Sequence, residues 1–192
     1  MAELESADEL IERFDSRAPT YDDGEAHRLI AQTVAEFVNV DDVTDVLDVA
    51  TGTGLALRAL APRLAPAAHL TGIDIAPGML AVAREKLPEA TFIRADAAAL
   101  PLEDASFDLV TCVTGIHLMP DAAAAVREWA RVLRPDGRIV IATFTTQSNW
   151  GHLESIPNAA SAAELAVSRE ADLAMPAGSG FPDLLITELA RR

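Results

Sequence analysis

Residues 46–54, V-L-D-V-A-T-G-T-G, constrain this chain more than any other stretch. Apolar and small residues around one acid, running into two glycines one residue apart, describe a buried strand that enters a tight turn. Residues 55–64, L-A-L-R-A-L-A-P-R-L, follow at once and place Leu57, Leu60 and Leu64 on one helical face. Strand, glycine bend and helix form the first half of a βαβ unit. Gly52 and Gly54 carry no Cβ, so a ligand can approach the backbone there and meet the N–H groups at the helix start.

What surrounds this unit narrows the partners. A chain of 192 residues, half of them hydrophobic, can bury one sizeable core, which predicts a single domain. The net charge of -15, with no basic stripe, repels phosphate backbones and points to a small molecule rather than nucleic acid. The only cysteine, Cys112, sits in D-L-V-T-C-V and reads as a buried strand residue in a reducing compartment. Residues 1–12 are acidic and lack the apolar core of a signal peptide, and no run of about 18 apolar residues reads as a membrane span. These features predict a cytoplasmic location. No His, Cys and Asp cluster has metal-ligand spacing, and no G-x-S-x-G elbow is present.

Two kinds of nucleotide fold use such a bend. The dinucleotide pattern G-x-G-x-x-G/A needs a third small residue for close packing, and Leu57 stands there, which disfavours an NAD-linked dehydrogenase. Asp48 followed by A-T-G-T-G instead resembles the D-x-G-x-G-x-G motif of class I S-adenosylmethionine (SAM) dependent methyltransferases, with Ala50 in place of a glycine. Further segments carry the same resemblance in order: I-D-I-A-P-G-M-L, L-P-L-E-D-A-S-F-D-L-V and R-V-L-R-P-D-G, the last with Asp136 replacing a glycine. Together they cover residues 14–146 and resemble the small-molecule methyltransferases of quinone and sterol biosynthesis.

The resemblance implies a site. Asp48, Ala50, Thr51, Gly52, Thr53 and Gly54 form the cofactor bend. Asp74, about 20 residues past Gly54, ends the second strand, where a carboxylate can accept from both ribose hydroxyls; its other reading is a helix N-cap. Ile75 and Met79 would flank the adenine. Asp96 would accept from the adenine amino group while the backbone of Ala97 and Ala98 meets the ring edge, an acceptor and donor pair that distinguishes adenine. The entry segment F-D-S-R-A-P-T-Y-D-D places Tyr21 either against the methionine part of SAM or as a loop anchor. Thr114 opens the loop after the fourth strand, and His117 within it is a candidate general base or a wall residue. That loop lacks the (D/N)-P-P-Y motif, which leaves small O, N, C or S acceptors.

The expected architecture is a doubly wound α/β domain: entry helices in 1–40, a Rossmann-like core in 41–146, and a lid with a final helix in 147–192. Residues 159–174 and 183–192 read as helices, so five parallel strands in the order 3-2-1-4-5 are expected, with strands 6 and 7 missing. The strand 138–144 would then be a bare edge through which two copies associate. The expected activity is SAM-dependent methyl transfer to a small acceptor. The alternative is a SAM-binding protein without turnover, motivated by the missing strands and by Ala50.

Overall fold

The computed structural model describes residues 5–145, 160, 161 and 163–191. Helix α1 (Ala7–Arg17) starts at a capping box in which the Glu9 N–H donates to the Ser6 hydroxyl and the Ser6 N–H donates to the Glu9 carboxylate. A 3-10 segment, Ala18–Asp23, leads into α2 (Glu25–Phe37). The core then alternates β1 (Asp45–Val49), α3 (Leu55–Leu60), β2 (His69–Asp74), α4 (Pro77–Lys86), β3 (Thr91–Arg94), β4 (Phe107–Val113), α5 (Ala122–Val132) and β5 (Leu133–Phe144). Two more strands follow, β6 (Leu165–Leu173) and β7 (Leu184–Arg191). The seven strands lie in the order β3-β2-β1-β4-β5-β7-β6.

This corrects the expected five-stranded sheet. Strands 6 and 7 are present, and the segments 159–174 and 183–192, expected as helices, contain β6 and β7. β7 runs antiparallel to β5, paired from Arg138 with Ala190 to Phe144 with Leu184, so the strand 138–144 is no edge. The proposed association through that edge loses its basis, because the backbone groups it required are already bonded within the chain. In L-L-I-T-E-L-A-R, Leu185, Ile186 and Leu189 fit a helical stripe, whereas in the strand Leu184 and Ile186 pack on one face and Leu189 on the other; pairing with β5, not the local pattern, selects the strand. The outer strand β6 carries Ser168, Arg169, Glu170 and Asp172, polar and charged groups of the kind that protect an edge. The first part of the expected lid, through residue 159, falls outside the described residues.

Side chains alternate across the sheet, so β5 sends Ile139 and Ile141 to one face and Val140 and Ala142 to the other. On the first face Trp129 and Val126 of α5 pack over Leu47 and Leu189. On the second, Ile30 and Val34 of α2 and Leu57 and Leu60 of α3 pack over Val46 and Ile186. At the amino ends of the strands, Asp108 accepts from the Thr44 and Asp45 N–H groups at 2.9 Å and pairs with Arg134 at 2.7 Å. Partial burial opposes ionisation there, but Arg134 and the two N–H groups outweigh it and hold the Asp108 carboxyl at about 2. Among the described residues no helix is long and apolar enough to cross a membrane.

Candidate functional site

The sheet order reverses beside β1, whose neighbours are β2 and β4, and the crevice of such a sheet opens at the carboxyl ends of those strands. There β1 turns through Ala50 (φ 56°), Gly52 (φ 55°) and Gly54 (φ 78°). The left-handed region is open to glycine and costs an alanine about 1–2 kcal/mol. Thr114, at the tip of β4, has φ 54° as well. A Cβ on Gly115 would lie 2.5 Å from the Ala50 Cβ, so the alanine at the bend fits because its neighbour across the strands is glycine.

Hydrogen bonds lock the bend to β2. The Gly52 N–H donates to Asp74 at 2.8 Å, and the Ala76 N–H donates to its other oxygen at 2.9 Å. Asp74 is therefore not the N-cap of α4, which is Ala76, but the tie between the glycine bend and the start of that helix. Burial raises its carboxyl above the usual range, against the pull of the Ala76 and Gly52 N–H groups. Asp48 is 2% exposed, opposite Thr111 in the β1–β4 register, and accepts from the Thr111 hydroxyl at 2.6 Å. Burial, only partly offset by that bond, pushes Asp48 up to about 6. Asp96 is exposed and accepts from the Ala98 N–H at 2.9 Å, which shapes the loop after β3.

The tips bearing Asp74 and Asp96, together with Ala50 and Gly52 of the bend, border one cavity of about 280 Å³. Asp96, Ala97 and Ala98 line one end, Asp74, Ile75 and Met79 the middle, and Tyr21, Ala50, Gly52 and Thr114 the side nearest the bend. Leu10 and Phe14 of α1 and Leu118 and Met119 after β4 complete apolar walls. A second, smaller chamber of about 40 Å³ shares Tyr21, Ala50, Gly52 and Thr114 with the first and is lined by Asp48, Thr51 and Thr53. Gly54 lines neither; its φ of 78° starts α3. His117 is not among the lining residues: it lies in a 3-10 turn, Ile116–Leu118, with its ring edge on Phe144, centroids 5.4 Å apart. Among the described residues no group of three metal-ligating side chains occurs.

The entry segment forms a strap across the opening, held at two points the motifs did not mark. Asp15 accepts from the Gly78 N–H at 2.6 Å at the start of α4, while Asp22 accepts from the Thr53 hydroxyl and pairs with Arg58 on α3. Between these anchors Tyr21 is held by Phe14 at 6.4 Å and by His27 at 4.2 Å between centroids. The signal for Asp22 was adjacency to Tyr21. Thr111 and His27 carried no motif signal, since their roles depend on register and on tertiary stacking.

A switch point beside β1, a glycine bend and acids at three strand tips define a doubly wound domain with its crevice at the carboxyl ends of the strands. Residues 47–141 match the methyltransferase domain family, and the chain is similar there to class I SAM-dependent methyltransferases. It is 46% identical over 103 residues to a demethylmenaquinone methyltransferase of Thermus thermophilus, a stretch covering 52% of this chain and 46% of that protein. A Staphylococcus aureus protein of the same name is 38% identical over 119 residues, 60% of this chain and 49% of its own length. The chain thus spans about half the length of the curated relatives it matches. Magnesium protoporphyrin IX methyltransferase from Synechocystis, solved with bound SAM, shares the fold at TM-score 0.76 and 20% identity over 100% of each chain.

Proposed function

We propose that this protein binds SAM in the 280 Å³ cavity and transfers its methyl group to a small acceptor. The observation that carries the reading is the placement of Asp74, Asp96 and the bend bearing Asp48 around two neighbouring chambers that share Tyr21, Ala50, Gly52 and Thr114. In this assignment Asp96 and the Ala97–Ala98 backbone meet the adenine edge, Ile75 and Met79 its faces, and Asp74 the ribose hydroxyls. Each oxygen of Asp74 holds one backbone N–H and retains a lone pair for a hydroxyl. Tyr21, Ala50, Gly52 and Thr114 border the sulfonium end.

The chemistry asks little of side chains. The sulfonium makes the methyl carbon electrophilic, so the protein aligns nucleophile, carbon and sulfur and excludes water, an effect of positioning. The strap excludes water through Leu10, Phe14 and Tyr21. His117 is the proposed base for an acceptor that loses a proton. The names of the relatives support an apolar, ring-bearing acceptor of the demethylmenaquinone kind, and the walls of Leu10, Phe14, Leu118 and Met119 suit such a molecule. The alternative without turnover loses one of its two motives, because strands 6 and 7 are present.

The test is incubation with SAM and small quinol, phenol and amine acceptors, followed by detection of S-adenosylhomocysteine (SAH) and methylated product. Acceptor-dependent SAH formation is expected. Tight SAM binding with no turnover on any acceptor contradicts the enzyme reading, and binding of NAD but not SAM contradicts the cofactor assignment.

A further inference from the structure

Phe181 lines neither chamber, yet its ring joins the two walls of the site. The turn that carries it, between β6 and β7, is built by its own hydrogen bonds. The Ser179 N–H donates to the Pro176 carbonyl at 3.0 Å, the Phe181 N–H to the Ser179 hydroxyl at 3.2 Å, and the Met175 N–H to the Asp183 carboxylate at 2.8 Å. The Asp183 carbonyl accepts from the Thr145 N–H at 2.7 Å and from the Thr145 hydroxyl at 3.0 Å, which fastens the turn to the end of β5. Phe181, so placed, meets His27 edge to face, centroids 5.0 Å apart and planes at 78°, and meets Phe144 at 5.7 Å. His27 in turn stacks on Tyr21 at 4.2 Å, and Phe144 meets the edge of His117 at 5.4 Å. Edge and offset contacts are the arrangements that aromatic quadrupoles favour. A Cβ on residue 24 would lie 2.7 Å from His27 Nδ1, so glycine there leaves the imidazole its place on Tyr21. The rings of Tyr21, His27, Phe181, Phe144 and His117 therefore form one chain of contacts.

Resting on the SAM reading above, we propose that Phe181 is a positioning residue for methyl transfer. Its ring is the wedge that spaces Tyr21, on the strap side of the sulfonium end, from the turn after β4 that carries His117, and it thereby sets the gap through which an acceptor reaches the methyl carbon. Tyr21 and Thr114 border both chambers and Gly115 and Leu118 the larger one, so the chain of rings starts in one wall of that gap and ends in the other. Close-packed side chains have little room to relax, so a change at the wedge is passed to both ends. Transfer needs nucleophile, carbon and sulfur in line, and a misplacement of about 1 Å lowers such a rate by about 100-fold. Asp74 and Asp96, assigned to the nucleoside, stand at the tips of β2 and β3 and take no part in the chain of rings. Loss of the Phe181 ring therefore separates turnover from nucleoside binding.

Tyr21 is the only tyrosine of the chain, so fluorotyrosine labelling gives one fluorine NMR signal that reports its surroundings. The experiment compares wild type with Phe181→Leu, which fills the turn without a ring, and with Phe181→Tyr, which keeps the ring. In Phe181→Leu the signal is expected to move toward that of a solvent-exposed fluorotyrosine. In the same variant kcat for transfer from SAM to naphthoquinol is expected to fall about tenfold or more, with KM for SAM unchanged. Binding of 5′-methylthioadenosine as in wild type shows that the variant is folded and its nucleoside end intact. Phe181→Tyr is expected to restore both the signal and kcat. An unmoved signal or an unaltered kcat in Phe181→Leu overturns the proposal, as does an equal loss of methylthioadenosine binding, which marks Phe181 as packing for the whole domain. A wild type that binds SAH and transfers no methyl group to naphthoquinol counts against the enzyme reading alone, and the fluorine signal then decides the place of Phe181. Failure of wild type to bind SAH or methylthioadenosine removes the SAM reading.

Discussion

Asp48 concentrates the opposition between stability and function at a single side chain. Its carboxyl has a pKa of about 6 in the fold against a reference of 3.8, because burial disfavours the charge. The folded state therefore binds the extra proton between those values: this contribution is fully present below about pH 4 and is lost as the pH rises through about 6. At pH 8 the cost is about 2–3 kcal/mol. Asp48→Asn, which keeps an acceptor for Thr111, is expected to raise the stability of the free protein at pH 8 and leave it nearly unchanged below pH 4, measured by urea unfolding; equal effects at both pH values contradict the burial account. Asp74→Ala is expected to weaken SAM by about 1.5–3 kcal/mol, the value of charge-assisted hydrogen bonds, in a binding titration. Unchanged affinity would show that Asp74 only ties Gly52 to Ala76. His117→Ala is expected to lower kcat by about 100-fold or more if the imidazole takes the acceptor's proton; a change within about threefold leaves it as packing against Phe144. Ala50 shows what sequence could and could not convey. Its departure from glycine was visible, but the compensation lies at Gly115, far along the chain and adjacent only once β1 and β4 pair.

Among the elements, the strap has the clearest mechanical role. α1 and the 3-10 segment are tied to α4 by Asp15 and to α3 by Asp22, so cofactor entry requires at least one tie to open. Asp22→Ala is expected to speed SAH release several-fold in stopped-flow displacement with little change in unfolding, since partly exposed ion pairs contribute about 0–1 kcal/mol. Unaltered release contradicts a gating role. The strands β1 to β4 were legible because each couples an apolar run to a punctuating acid or glycine: Asp48 and Gly52, Asp74, Asp96, then Phe107 to Val113. The hairpin was not. Leu185, Ile186 and Leu189 follow helical spacing while the strand splits Leu184 and Ile186 from Leu189 across its two faces, β6 carries Ala, Glu and Asp on a half-exposed surface, and pairing with β5 decides the outcome over a long sequence separation. The β6–β7 connection contains P-A-G-S-G at 176–180, where Gly178 and Gly180 adopt positive φ.

For the whole molecule, the hairpin closes the sheet and thereby the core. Leu184, Ile186 and Leu189 are at most 1% exposed, so truncation before β6 uncovers the backbone of β5 and its apolar faces together. Such a truncation is expected to associate or unfold, seen as loss of the monomer peak in size-exclusion chromatography with light scattering; a stable, SAM-binding monomer contradicts that role. The lining of the larger cavity was legible where its residues follow strand tips in sequence. The strap anchors were hidden because they arise where α1 and the 3-10 segment meet α4 and α3, and the setting of His27 because it arises where α2 meets Tyr21 and the β6–β7 turn. The most direct test of the central claim is a crystal structure with SAH. The expected result is ribose hydroxyls on Asp74 and the adenine amino group on Asp96. A product molecule seated elsewhere, or one that leaves Asp74 and Asp96 without a ligand contact, would contradict it.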